Sequence, residues 1–98
     1  MKTTKTSKNK YLLPIEAEID LHGMTRFEAV QEVAHFLKDC ISDHNHKVRI
    51  ITGRGLHSKN NEGVLKNHIE NYLIDHGYKF SNAKINEGGE GALIVLLD

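Results

Sequence analysis

Asp20 and His22 stand two residues apart in Ile19-Asp20-Leu21-His22-Gly23. On an extended chain that spacing puts both side chains on one face. An imidazole exchanges protons near neutral pH, and a carboxylate beside it can orient the ring and stabilise its charged form, so the pair suits acid-base chemistry. A second stretch holds Arg49, then Thr52-Gly53-Arg54-Gly55, with His57 and Lys59 close behind. Glycine permits close backbone approach, amides near a helix start can hold a phosphate, and an arginine fork matches phosphate oxygens. A third is Gly88-Gly89-Glu90-Gly91, ahead of an apolar run.

These groups need elements to hold them. Glu16 to His22 alternates, with Ala17, Ile19 and Leu21 on one face and Glu16, Glu18, Asp20 and His22 on the other, which predicts a half-buried strand. Gly23 breaks it, and Thr25-Arg26-Phe27-Glu28 has the form of a capping box. A helix is predicted from there, with Phe27, Val30, Val33, Ala34, Leu37 and Ile41 as its inward stripe and His35 and Lys38 outward. Lys47 to Thr52 reads as a strand with Val48 and Ile50 facing one way and Arg49 the other. A second helix is expected from about Glu62 to His76, striped by Leu65, Ile69, Tyr72, Leu73 and His76 and ended by Gly77. Tyr78 to Asn86 reads as a strand, and the unbroken apolar run Ala92 to Leu97 as a strand covered on both sides.

The order βαβαββ, built with right-handed crossovers, predicts an α/β two-layer sandwich: a four-stranded mixed sheet with two helices on one face. The first three strands run parallel and the last antiparallel. The turns at His22-Gly23, Thr52 to Gly55 and Gly88 to Gly91 then meet at the carboxyl edge of the sheet, where open α/β sheets take ligands.

Composition bounds what such an edge can do. The 98 residues fit one domain at 14–98 preceded by a flexible basic tail at 1–13. Lys plus Arg and Asp plus Glu both number 13, which excludes bulk electrostatic capture of a polyanion and leaves local contact through the basic stretch. No apolar run could span a bilayer, and Met1 to Lys10 lacks the core of an export signal, so a cytoplasmic monomer without a membrane partner is expected. The single cysteine, Cys40, is a packing residue. No metal ligands are assigned; Asp20, His22 and His57 match no recognised metal spacing, and a divalent cation, magnesium or manganese, stands as the alternative to a reaction that requires no cofactor. His35, His44, His46, His68 and His76 read as neutral or structural, and His57 next to Ser58 is not a serine-hydrolase arrangement.

Taken in order and spacing, Ile19-Asp20-Leu21-His22-Gly23, Ile51-Thr52-Gly53-Arg54-Gly55-Leu56-His57-Ser58 and Gly88-Gly89-Glu90-Gly91-Ala92 resemble the motifs of the Smr (small MutS-related) domain, here in a stand-alone bacterial-type form. The resemblance runs from about Ile19 to Leu97. It implies a fold similar to the C-terminal domain of translation initiation factor three and an RNA or DNA partner. The implied activity is endonuclease, with RNA cleavage preferred and DNA nicking the second possibility. It associates Asp20 and His22 with cleavage, and Thr52, Gly53, Arg54 and Gly55 with nucleic-acid contact. Ile19 replaces a common leucine, a neutral change, and Glu90 sets a negative charge in the glycine loop. The rival expectation is a binding module that holds DNA or RNA without cutting it.

Overall fold

The computed structural model describes residues 12–53 and 61–97, apart from the side chains of 61–64 and of Glu90. Arg54, Gly55, His57, Lys59 and most of the N-terminal tail therefore lie outside the described residues. Strand β1 (Ala17–Asp20) is followed by helix α1 (Arg26–Ser42), strand β2 (Lys47–Ile51), helix α2 (Asn61–Asp75), strand β3 (Lys79–Asn82) and strand β4 (Ala92–Leu96). The sheet order is β1-β2-β4-β3, with β1 parallel to β2 and β4 antiparallel to both its neighbours. This is the expected four-stranded mixed sheet with two helices.

Local chemistry explains the boundaries. The Thr25 side chain accepts the Glu28 amide at 3.1 Å, and Glu28 accepts the Thr25 amide at 3.0 Å, so the capping box closes the first turn of α1. Gly77, at φ +76, ends α2: its amide reaches Ile74 O and the Tyr78 amide reaches Leu73 O at 2.9 Å, the paired bonds of a left-handed helix stop. The same stop closes α1 with His44 at φ 63, a position that strains any residue carrying a Cβ and spares a glycine.

The core lies between sheet and helices. Leu21, Val48, Ile50, Leu93 and Val95 from the sheet meet Ala29, Val33, Leu37, Ile69 and Leu73 from the helices, all fully buried. Each large apolar side chain so placed contributes about 1.5–3 kcal/mol. Helix α1 is rolled relative to the expected stripe: Phe27 is 70% exposed and Ile41 44%, while Ala29 and Cys40 face inward. Two small residues let the helix axis sit closer to the sheet than a phenylalanine would allow. In α2 the expected Leu65, Ile69 and Leu73 are buried, but His76 is exposed and stacks on Tyr72 with ring centroids 4.0 Å apart.

A larger departure follows β3. Residues 83–86 do not continue the strand; the chain makes two short 3-10 turns, Ile85–Glu87 and Gly89–Gly91, before β4. The segment crosses the sheet face opposite the helices, for Glu87 reaches both Lys47, at the start of β2, and Arg49. That face carries Ala92 and Ile94, 1% exposed each, and this cover is what keeps them dry. The expectation that β4 is covered on both sides holds.

Candidate functional site

Three turns meet at the carboxyl edge of the sheet. Asp20, Ile51 and Ala92 form one row across β1, β2 and β4, and the Leu21 amide donates to Ile51 O at 2.8 Å, so the ends of β1 and β2 are level. Beyond that row the Thr52 and Gly53 amides both donate to Gly91 O, at 2.8 and 3.1 Å. The turn after β2 and the turn before β4 are thus closed on each other.

Asp20 and His22 are both exposed at the end of β1. The Asp20 carboxylate accepts the backbone amide of His22 at 2.9 Å, so it shapes the turn that carries the imidazole. Gly23, at φ +84, and the Met24 amide bonding to Leu21 O complete that turn and lead directly into the Thr25 cap. At the far side of the turn Arg26 Nη1 donates to His68 Nε2 at 3.2 Å, fastening the first residue of α1 to α2.

On the expected phosphate side, the described residues fall into different surroundings. Thr52 is fully buried and its hydroxyl lies 3.3 Å from Gly53 O and 3.4 Å from Gly91 O, so it scaffolds the turn and has no surface to offer a polymer. Arg49 is engaged through all three of its guanidinium nitrogens: Nε donates to Glu18 Oε1 at 2.9 Å, Nη2 pairs with the same carboxylate, and Nη1 donates to Glu87 O at 2.9 Å. Gly53 is half-buried and its amide is taken by Gly91 O. Gly88 is exposed and Gly89 half-buried, whereas Gly91 is buried.

Sequence reasoning missed the charged lattice beneath the site. Glu18 lies opposite Arg49 in the β1–β2 register, and Lys47 Nζ pairs with Glu87 Oε2 at 2.9 Å with the lysine side chain 3% exposed. Lys47 holds the Glu87 carboxyl below its ordinary range by donating to it. The Glu16 carboxyl is likewise lowered, because the His46 and Lys47 backbone amides both bond to it. The alternation of Glu16, Glu18 and Asp20 against Lys47 and Arg49 is visible in the sequence once the two strands are set in parallel register. Burial raises the Cys40 thiol, with Asp43 and Asp39 adding to it, which fits a packing role. Among the described residues no group of three or more His, Cys, Asp or Glu side chains is arranged to hold a metal ion. Nor is any described helix long and apolar enough to cross a membrane.

Comparison with known proteins places this architecture. The family model described as Smr domain matches residues 19–98. The chain is 36% identical over 87 residues to ribosome rescue factor SmrB of Aeromonas hydrophila subsp. hydrophila, covering 87% of this chain and 47% of that protein. It is 37% identical to endonuclease MutS2 of Finegoldia magna over 92% of this chain and 11% of the relative. With endonuclease NBR9 of Saccharomyces cerevisiae it shares 34% identity over 82% of this chain and 32% of the relative. It therefore spans less than half the length of each of these relatives. Among solved structures, the Smr domain of Thermus thermophilus MutS2 superposes with a TM-score of 0.74 at 29% identity, covering 85% of this chain and 99% of that one. YdaL of Escherichia coli, a stand-alone small MutS-related protein, superposes at 0.80 over 99% of this chain and 76% of its own, and at 22% identity this likeness speaks for the fold alone. Sequence motifs, sheet order and a family match over residues 19–98 agree: the chain belongs to the Smr domain family.

Proposed function

We propose that this domain binds nucleic acid and cleaves a phosphodiester bond in it, with RNA preferred and DNA nicking the alternative. The observation that carries this reading is the placement of Asp20 and His22, both exposed, on the turn that ends β1, level with the two glycine turns joined at Gly91 O. The names of the relatives, two of them endonucleases and one a ribosome rescue factor, support the same reading.

In RNA, His22 takes the proton of a ribose 2′-hydroxyl as that oxygen attacks its own phosphorus; the P–O5′ bond breaks, the 5′-oxygen takes a proton from water, and the imidazolium returns its own proton to the solvent. Asp20 fixes the turn and hence the reach of the imidazole. Arg54, with His57 and Lys59, is the phosphate side of the site by sequence, where a guanidinium fork would stabilise the crowded phosphorane. The reaction leaves a cyclic 2′,3′-phosphate and a 5′-hydroxyl and requires no metal. A divalent ion held with Asp20 and His22 would instead activate water and leave a linear phosphate end.

The test incubates single-stranded RNA, structured RNA, supercoiled plasmid and branched DNA with the protein, with and without chelator, beside His22→Ala and Asp20→Ala. RNA cleavage that survives chelator, leaves cyclic ends and is lost in His22→Ala is the expected result. Nicked plasmid without RNA cleavage would overturn the substrate, and activity surviving His22→Ala would overturn the base. A second reading, a binding module that does not cut, draws on the Asp20 carboxylate being spent on the His22 amide. It requires all four substrates to be bound or ignored but never cleaved.

A further inference from the structure

The charged lattice under the site has a task that the acid-base pair does not explain. The Arg49 side chain is 25% exposed and its fork is divided between two elements: Glu18 of β1 on one side and the main-chain oxygen of Glu87 on the other. Its stem underlies the glycine segment, for a Cβ built on Gly88 would lie 3.9 Å from Arg49 Cδ and 2.8 Å from Ala92 Cβ. The segment seated in this way ends at Gly91, whose carbonyl receives the Thr52 and Gly53 amides.

We propose that Arg49 is a positioning residue of the proposed site: it takes no phosphate itself but clamps the 87–91 segment to the sheet, and through Gly91 O fixes the turn at Thr52 and Gly53. This rests on the nucleic-acid reading given above for what the turn is used for, though not for the clamp itself. Two physical points set it apart from a phosphate contact. The Glu18 carboxylate already neutralises the guanidinium, so a phosphate approaching this face meets a closed pair. Bridging a carboxylate and a carbonyl from two different elements needs a rigid planar fork; a lysine ammonium is a point charge on a flexible stem and cannot reproduce it.

The experiment compares wild type with Arg49→Lys, Arg49→Gln and Gly88→Ala in the full chain. Amide hydrogen exchange is followed by NMR, and binding of a short mixed-sequence single-stranded RNA is followed against salt. Exchange at Thr52, Gly53 and Gly91 is expected to quicken about tenfold or more in all three variants, with Val33 and Leu37 of α1 unchanged, since the opening is local. The slope of log affinity against log salt stays at the wild-type value in Arg49→Gln. Where the RNA is cleaved, its turnover falls about tenfold or more while its dissociation constant holds within about twofold, the signature of a misplaced group rather than a lost contact. A slope shallower by about 0.7, one single-strand phosphate contact, would overturn the proposal, as would full rescue of exchange and turnover by Arg49→Lys. Unchanged exchange at Gly53 would overturn it too. A wild type that binds no RNA or DNA would defeat the proposed function, and the exchange measurements would still decide the clamp.

Discussion

Glu87→Ala should destabilise this domain far more than Lys47→Met, although both break the same ion pair. Lys47 is 2% exposed, and its Nζ sits 2.9 Å from Glu87 Oε2, on a side chain that is 20% exposed. At an effective dielectric of about 20 two unit charges at that distance attract by about 6 kcal/mol, most of which is offset by the cost of drying the ammonium. Removing the carboxylate forfeits the attraction and leaves that cost standing. Allowing for the partial exposure of Glu87, the expected loss is about 3 kcal/mol, near the low end for a buried pair broken from one side. In a domain of this size that lowers Tm by about 12–20 °C. Lys47→Met removes the charge and keeps a buried aliphatic stem, so its stability should stay within about 1 kcal/mol of wild type. Glu87→Gln, which retains an acceptor, should fall between the two. Urea unfolding followed by far-UV circular dichroism measures all three. Equal losses in Glu87→Ala and Lys47→Met would refute the uncompensated cost of drying the ammonium as the cause, and would place the energy in the pair itself.

Three further outcomes can be checked with the same assay. His44→Gly should stabilise by about 0.5–1 kcal/mol, because the left-handed backbone at φ 63 strains a histidine more than the added freedom of the unfolded chain costs. Acid should weaken the fold through Glu16 and Glu87: both carboxyls are lowered from the ordinary 4.5, so the stability they confer is complete above that value and is lost as pH falls through the lowered values. The urea midpoint should therefore drop below about pH 4.5, and Glu16→Gln should flatten part of that drop. Phe27→Ser should change stability by no more than about 0.5 kcal/mol, since a ring 70% exposed contributes little burial; a loss of several kcal/mol would mean that the ring packs inward in solution.

Much of the fold was legible in the sequence because its punctuation is chemically strict. Thr25 with Glu28 could only be a helix start, Gly77 a helix stop, and the period-two run before Gly23 a strand with Asp20 and His22 on one face. The meeting of three glycine turns follows from crossover handedness and needs no side-chain detail. The rolled face of α1 was hidden, because Phe27 and Ile41 extend an apolar stripe as well as Ala29 and Cys40 do, and only packing against the sheet decides between them. The path after Asn82 was hidden for a related reason: periodicity cannot tell that Ala92 and Ile94 require a cover from their own chain. Arg49 read as a phosphate contact because its partner, Glu18, lies 31 residues away in sequence and becomes a neighbour only in the parallel register.

The placement of β4 carries a consequence for how the domain is made. The strand at the middle of the sheet, bonded to β2 on one side and β3 on the other, is the last of the six elements to be synthesised. Until Ala92 to Leu96 emerge, β3 has no strand to pair with and β2 exposes one whole edge. A nascent chain therefore has no stable halfway form to rest in. Closure of the sheet and the seating of the glycine segment must then arrive together, as a single event that waits for β4.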